Sequence, residues 1–235
     1  MKELLSAERL DCGYVIVLPG IEGHSWFNRS IARGLADAGL PYGIEIYDWT
    51  LGPLAALYTL RASWRHRQQS ERIAQKLIDY RSSRPDRPMH LIGHSGGGGM
   101  TVLTLQQLPN DVRVETAVLL APAISPRYPL EQALGHVERG LWNFSSYGDA
   151  FFVGLMTTVL GTMDARHMPA AGFGGFRKQQ REHDPRLHEV QFDFSMLRDG
   201  NLGGHFGCVN RRFVRTHIAP ILAGETGASG DQKNT

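Results

Sequence analysis

Two cysteines, Cys12 and Cys208, are too few for a disulfide framework, so both are expected as reduced thiols. No stretch is long and apolar enough to cross a bilayer. The opening residues 1–10 mix charges with leucines and lack the apolar core of a secretory signal. Together these absences predict a cytoplasmic protein without an integral membrane segment. Charge of one sign is also scarce: the formal net charge is only +2, which gives neither nucleic acid nor an anionic membrane an electrostatic reason to bind. The arginine clusters at 61–67 and 81–87 read as solvated faces. No Cys/His/Asp cluster has metal-ligand spacing and no nucleotide fingerprint is present, so neither metal nor cofactor is expected. Internal repeats and linkers are missing too. The expectation is one domain over 1–222, followed by a small, polar, disordered tail at 223–235.

What the sequence does contain is globular: 42% hydrophobic and 20% charged residues are enough to build a real core. A continuous apolar run at 13–18 suits a strand buried on both faces of a parallel sheet, and further strands are expected at 42–47, 89–92, 114–121, 140–146 and 187–194. Helical stretches alternate with them at 26–38, 67–81, 100–108, 150–160 and 208–222. Ser25 is placed to cap the first. Residues 161–184, rich in Gly, Arg, His and Met, read as a long irregular segment. Strictly alternating elements predict an α/β fold, a mostly parallel sheet of about six strands with helices on both faces.

One turn carries chemistry. The run at 89–92 ends in Gly93-His94-Ser95-Gly96-Gly97, followed by a helical stretch. Strand, tight turn with a central serine, then helix is the context that gives Gly-x-Ser-x-Gly its meaning. The serine must take a strained backbone to present its hydroxyl, and only small neighbours leave room for that. No Gly-Lys-Ser/Thr closes the loop, so it is not a phosphate cradle. Gly23-His24-Ser25 repeats the same tripeptide, but Trp26 and Phe27 follow it, too bulky for such a turn. Ser95 is therefore the candidate nucleophile. It needs a neighbouring base to take its proton. Among ten histidines, His205 stands in a glycine-rich loop between the last strand and the last helix, which makes it the candidate base over His136, His167 and His188.

With Gly93 to Gly97 after a strand, a Pro19-Gly20 loop after an earlier strand, and a later acid and histidine in that order, residues 13–222 resemble the α/β-hydrolase family. The resemblance implies a nucleophile–acid–histidine triad. It puts the acid at Asp149, after a late strand, with Asp193 and Asp199 as rivals. Asp149 also reads as an N-cap for the helix that follows. The resemblance further implies an oxyanion hole from the backbone N–H of Gly96 and of Ile21, with Glu22 as the alternative second donor. The short connection between the fourth strand and Asp149 leaves no room for a large cap domain. Cover for the site would then come from 48–53 or 161–177. Trp26, Phe27, Trp49, Phe151, Met163 and Phe173 are candidates to line an acyl pocket, with Trp26, Trp49 and Phe151 foremost. The function implied is a serine hydrolase, esterase- or lipase-like, acting on a small-molecule acyl ester. The same triad could serve a thioester, lactone or amide, or an acyl transfer, and a non-catalytic ligand-binding protein could use the same fold.

Overall fold

The computed structural model describes residues 2–177, 179–180 and 184–225. Its centre is a six-stranded sheet in the order β2-β1-β3-β4-β5-β6, formed by β1 (Tyr14–Leu18), β2 (Gly43–Ile46), β3 (Met89–His94), β4 (Val114–Leu120), β5 (Val137–Ser145) and β6 (Leu187–Gln191). Every neighbouring pair runs parallel. The C-terminal ends of all strands therefore share one edge of the sheet, and the loops carrying the candidate site residues gather there.

Two apolar layers cover the two faces of the inner strands β1 and β3. Tyr14, Ile16, Leu18 and Leu91 face Ile73 and Leu77 of the helix Ser63–Ser83 and Met100 of the helix Gly96–Leu105. Val15, Val17, Ile92 and Val118 face the opposite way, onto Ile31 and Leu35 of the helix Trp26–Asp37 and onto Val214 and Ile218 near the C-terminus. Successive strand residues point to opposite faces, so β1, covered on both, is apolar at all five positions, whereas the edge strands β2 and β6 are only partly buried and carry Glu45, His188 and Glu189.

Several boundaries differ from the sequence expectation, each for a local reason. The helix after the glycine-rich turn begins at Gly96 rather than residue 100, because four glycines can enter the helix directly under the strand end. The last helix is broken. A short turn at Gly207–Val209 precedes Asn210, whose side chain accepts from the Arg212 N–H and restarts the helix at Arg211–Phe213. Short helices at Pro53–Ala55 and Ala56–Arg61 fill a stretch that carried no helical signal. Residues 161–184 are mostly irregular, with one short helix at Ala171–Gly174; residues 178 and 181–183 lie outside the described residues. Of the expected tail, Ala223 ends the last helix, Gly224 closes it in a left-handed conformation (φ 85°), and 226–235 lie outside the described residues. Both cysteines are free thiols, Cys12 exposed and Cys208 buried.

Candidate active site

Ser95 stands at the junction of β3 and the helix Gly96–Leu105 with φ 52° and ψ −118°, a region that side-chain-bearing residues avoid. Such a residue costs about 1–3 kcal/mol and persists only when its surroundings hold it there. Here three backbone bonds do so: Ser95 N–H donates to Leu120 O at 2.9 Å, while Ser95 O accepts from Ala123 N–H at 2.9 Å and Gly98 N–H at 3.0 Å. The flanking glycines are steric necessities. A Cβ on Gly93 would lie 2.1 Å from Gly97 O, and one on Gly97 would lie 2.1 Å from Leu18 O of β1. Ser25, in the repeated tripeptide, has ordinary extended backbone (φ −134°) and makes no side-chain cap bond. Its hydroxyl instead accepts from Asn28 Nδ2 at 2.9 Å.

The structure brings Asp149 and His205 together at the same sheet edge. His205 Nδ1 donates to Asp149 Oδ2 at 2.5 Å, with both side chains almost wholly buried. That bond fixes the tautomer with the proton on Nδ1 and leaves Nε2 able to accept one. Asp149 Oδ1 also accepts from Val153 N–H at 3.5 Å. The carboxylate therefore caps the helix Ala150–Met156 and orients the imidazole with its two separate oxygens. Phe152 stacks on the imidazole at 4.8 Å and 20°. His94 Nε2 donates to the His205 carbonyl at 3.1 Å, and burial pushes the His94 pKa down to about 3, so this support stays neutral. Cys208 donates weakly to the same carbonyl at 3.8 Å. Its thiol is pushed up to about 12 by burial and stays unreactive.

Rival acids and bases are engaged elsewhere. Asp193 accepts from Ser195 N–H at 2.8 Å, and Asp199 pairs with His217 at 2.9 Å. His136 Nδ1 donates to Val112 O at 3.0 Å, His167 Nδ1 to Thr158 O at 3.3 Å, and His188 stacks on Trp142.

Ser95 and His205 line one cavity of about 290 Å³, walled by Ile21, Phe27, Phe152, Val153, Met156 and Leu160 among others. Ile21 lines this cavity, and the Gly96 backbone lies close to it. A Cβ built on Gly96 would sit 2.9 Å from Ile21 Cγ2 and 3.5 Å from Ile21 N. A large apolar cavity with few polar groups suits an acyl chain.

Glu22 is the acidic side chain on this wall. Burial holds its carboxyl above the ordinary glutamate range, opposed by the backbone N–H groups of its own loop, by His205 and by Ser25. A raised carboxyl pKa means the folded state binds protons more tightly than the unfolded chain. Its contribution to stability is therefore full below the ordinary value and is lost as pH rises above it. Glu22→Gln should raise Tm at pH 8 more than at pH 4 in thermal melts; an equal gain at both would show the carboxyl is not penalised by burial.

The foremost pocket candidates are not where the sequence put them. Trp49 is fully buried and donates its Nε1–H to Pro19 O at 2.8 Å, so it braces the Ile21 loop from behind and lies outside the cavity lining. Trp26 and Phe151 point to solvent; their neighbours Phe27 and Phe152 line the cavity instead. Met163 packs under Gly99, and Phe173 against Tyr147. Neither expected cover segment, 48–53 or 161–177, supplies a lining residue. The outer wall comes from the helical run Ala150–Met156 and Thr157–Leu160. Its first part is a π-helix. Val153, Met156, Thr157 and Leu160 line the cavity at i, i+3, i+4 and i+7; Phe152 adjoins that face, and Phe151 lies on the exposed one.

No family model and no curated protein matches the sequence. Solved structures do match the fold. A dienelactone hydrolase-like promiscuous phosphotriesterase from metagenomic libraries aligns over 90% of this chain and 86% of its own, at 16% identity and a TM-score of 0.55. Aspergillus fumigatus lipase B aligns over 93% of this chain at 13% identity and a TM-score of 0.56. This chain spans 54% of that lipase's length. A Thermus thermophilus protein aligns over 91% of this chain and 88% of its own, at 15% identity and a TM-score of 0.53. The chain therefore has the α/β-hydrolase fold.

Proposed function

We propose that the protein is a serine hydrolase that cleaves carboxylic esters of small or medium acyl chains. The observation that carries this reading is the Asp149–His205 hydrogen bond on the wall of the apolar cavity that Ser95 also lines. A fold hosts many functions, so the argument rests on this site.

In the reaction, His205 Nε2 takes the proton of Ser95 Oγ as that oxygen attacks the ester carbonyl carbon. The carbonyl π electrons move onto oxygen, and the N–H groups of Gly96 and Ile21 hold the resulting oxyanion. Such donors are each worth about 10²–10³ in rate. The Asp149 carboxylate holds the imidazole in place and stabilises the imidazolium. Collapse of the tetrahedral adduct breaks the ester C–O bond, and the imidazolium protonates the departing alkoxide. A water, deprotonated by the same Nε2, then attacks the acyl-serine. A second collapse releases the acid and returns the proton to Ser95 Oγ. The strained turn contributes by holding Oγ out toward the substrate before it arrives.

A fluorophosphonate probe tests the reading. It should label the protein once, on the peptide containing Ser95, with hydrolysis of p-nitrophenyl esters lost in step. Absence of labelling, or labelling at another residue, overturns it. A panel of p-nitrophenyl esters of rising chain length then gives the acyl preference of the cavity.

A further inference from the structure

The cavity beside Ser95 carries one charge that the proposed hydrolysis does not use. Among the described residues lining it, Glu22 and His205 are the titratable ones, and none is a lysine or arginine. His205 already has Asp149 as its partner, and as a base it must be neutral before it takes a proton. It is no standing counter-ion for Glu22. The half-buried Glu22 carboxyl lies along the Pro19-Gly20 loop, where a Cβ on Gly20 would sit 2.2 Å from Oε2. Its side-chain donor is the Ser25 hydroxyl at 3.4 Å, and the charged groups acting on it include no lysine or arginine. Asp48, beside Gly23 of the same loop, is fully engaged by contrast: it accepts from His24 N–H, Thr50 N–H and Thr50 Oγ1. A carboxylate drawn out of water is unfavourable unless a cation answers it, and within the protein nothing answers Glu22.

The rest of the wall suits a cation as well. Phe27, Phe152 and Phe206 line the same cavity. Phe27 and Phe206 stack at 4.0 Å and 13°, and Phe152 meets Phe206 edge-on at 5.4 Å, so the rings form one continuous surface. Phe27 and Phe206 are half-buried and Phe152 keeps 42% of its surface exposed, which leaves ring surface for a ligand. Aromatic rings attract cations, alkylated ammonium ions above all, because their methyl groups also bury well against a ring. A plain hydrocarbon chain would use the rings and leave the carboxylate unanswered. An anionic chain would be repelled by it. Few acceptors are left for the three N–H donors of a primary ammonium, since the Thr157 hydroxyl already donates to Val153 O at 2.7 Å.

We propose that Glu22, with Phe27, Phe152 and Phe206, forms a subsite for a quaternary alkylammonium group, so that the preferred esters carry a positive charge. The methyl groups of such a cation pack on the rings while its charge faces the carboxylate, and both features of the wall are used at once. Glu22 is then the residue that sets charge preference. The subsite needs only the cavity wall. That the cation belongs to an ester rests on the hydrolase reading above.

Two pairs of esters that match in shape and differ in charge test the proposal on the full chain at pH 8. Butyrylcholine and 3,3-dimethylbutyl butyrate vary the alcohol side. The p-nitrophenyl esters of 4-(trimethylammonio)butanoic and 5,5-dimethylhexanoic acid vary the acyl side. In at least one pair kcat/KM should favour the cationic ester by about tenfold or more, and Glu22→Gln should bring that ratio close to one. Glu71→Gln removes the same charge outside the cavity and should keep the parent's ratio. Calorimetric titration with hexyltrimethylammonium reads the subsite without turnover, and its Kd should be about tenfold weaker in Glu22→Gln. The proposal is overturned if the esters are hydrolysed without the cationic preference, or if that preference survives in Glu22→Gln. It is equally overturned if Glu71→Gln abolishes the preference, or if hexyltrimethylammonium binds parent and Glu22→Gln alike. Glu22-dependent binding in a protein that hydrolyses none of the four esters would sink the hydrolase reading and leave the subsite intact.

Discussion

Ser95→Ala should leave a folded protein whose ester turnover is about 10⁶-fold below the parent's, at the level set by binding and the oxyanion amides alone. Loss of the attacking oxygen removes the acyl-enzyme route altogether, and the fluorophosphonate label should vanish with it. Fold and activity separate cleanly here because the backbone, not the hydroxyl, is what the surroundings grip: Leu120, Ala123 and Gly98 bond main-chain atoms of residue 95. Alanine keeps a Cβ and so keeps the strain at φ 52°. Ser95→Gly removes it. That variant should be equally inactive yet more stable than Ser95→Ala by about 1 kcal/mol, read by urea denaturation. An active Ser95→Ala, or a Ser95→Gly no more stable than it, would mean the turn is not a strained nucleophile site.

Asp149→Asn is the second large effect, a fall of about 10⁴ in kcat at neutral pH. The amide can donate where the carboxylate accepted, which pushes the imidazole toward the tautomer with its proton on Nε2. That nitrogen can then no longer take the Ser95 proton. The same substitution keeps an oxygen for Val153 N–H, so the helix cap survives and Tm should move little. Asp149→Ala loses both contacts and should add a stability loss of about 1 kcal/mol. Comparing the two variants separates the orienting role from the capping role. A near-parental rate in Asp149→Asn would return the acid to Asp193 or Asp199, whose present bonds to Ser195 and His217 it would have to break.

Much of this was legible from residues alone, and the reason is locality. A strand buried on both faces reads as an apolar run, as 13–18 does for β1, while the partly buried edge strands β2 and β6 carry polar residues and were legible from the alternation of strands with helices. The turn at Ser95 excludes any side chain at 93 and 97, so its glycines marked it, and the bulky residues after Ser25 excluded the copy. The two readings of Asp149, cap or orienting acid, proved to be one carboxylate using both oxygens.

Other features depend on which way a side chain turns once the chain is packed. Trp49 and Trp26 look alike in sequence, yet one is fully buried behind the Ile21 loop and the other stands in solvent. Of the neighbours Phe151 and Phe152, only Phe152 stacks on His205, and the packing of this helical run against the sheet edge decides which. Sequence by itself determined the strands, the helices and the strained serine, because hydrophobic periodicity and steric exclusion act within a few residues. Only the tertiary structure decided the cavity wall and the brace behind the loop. Each depends on contacts between residues distant in sequence, and no local pattern encodes those.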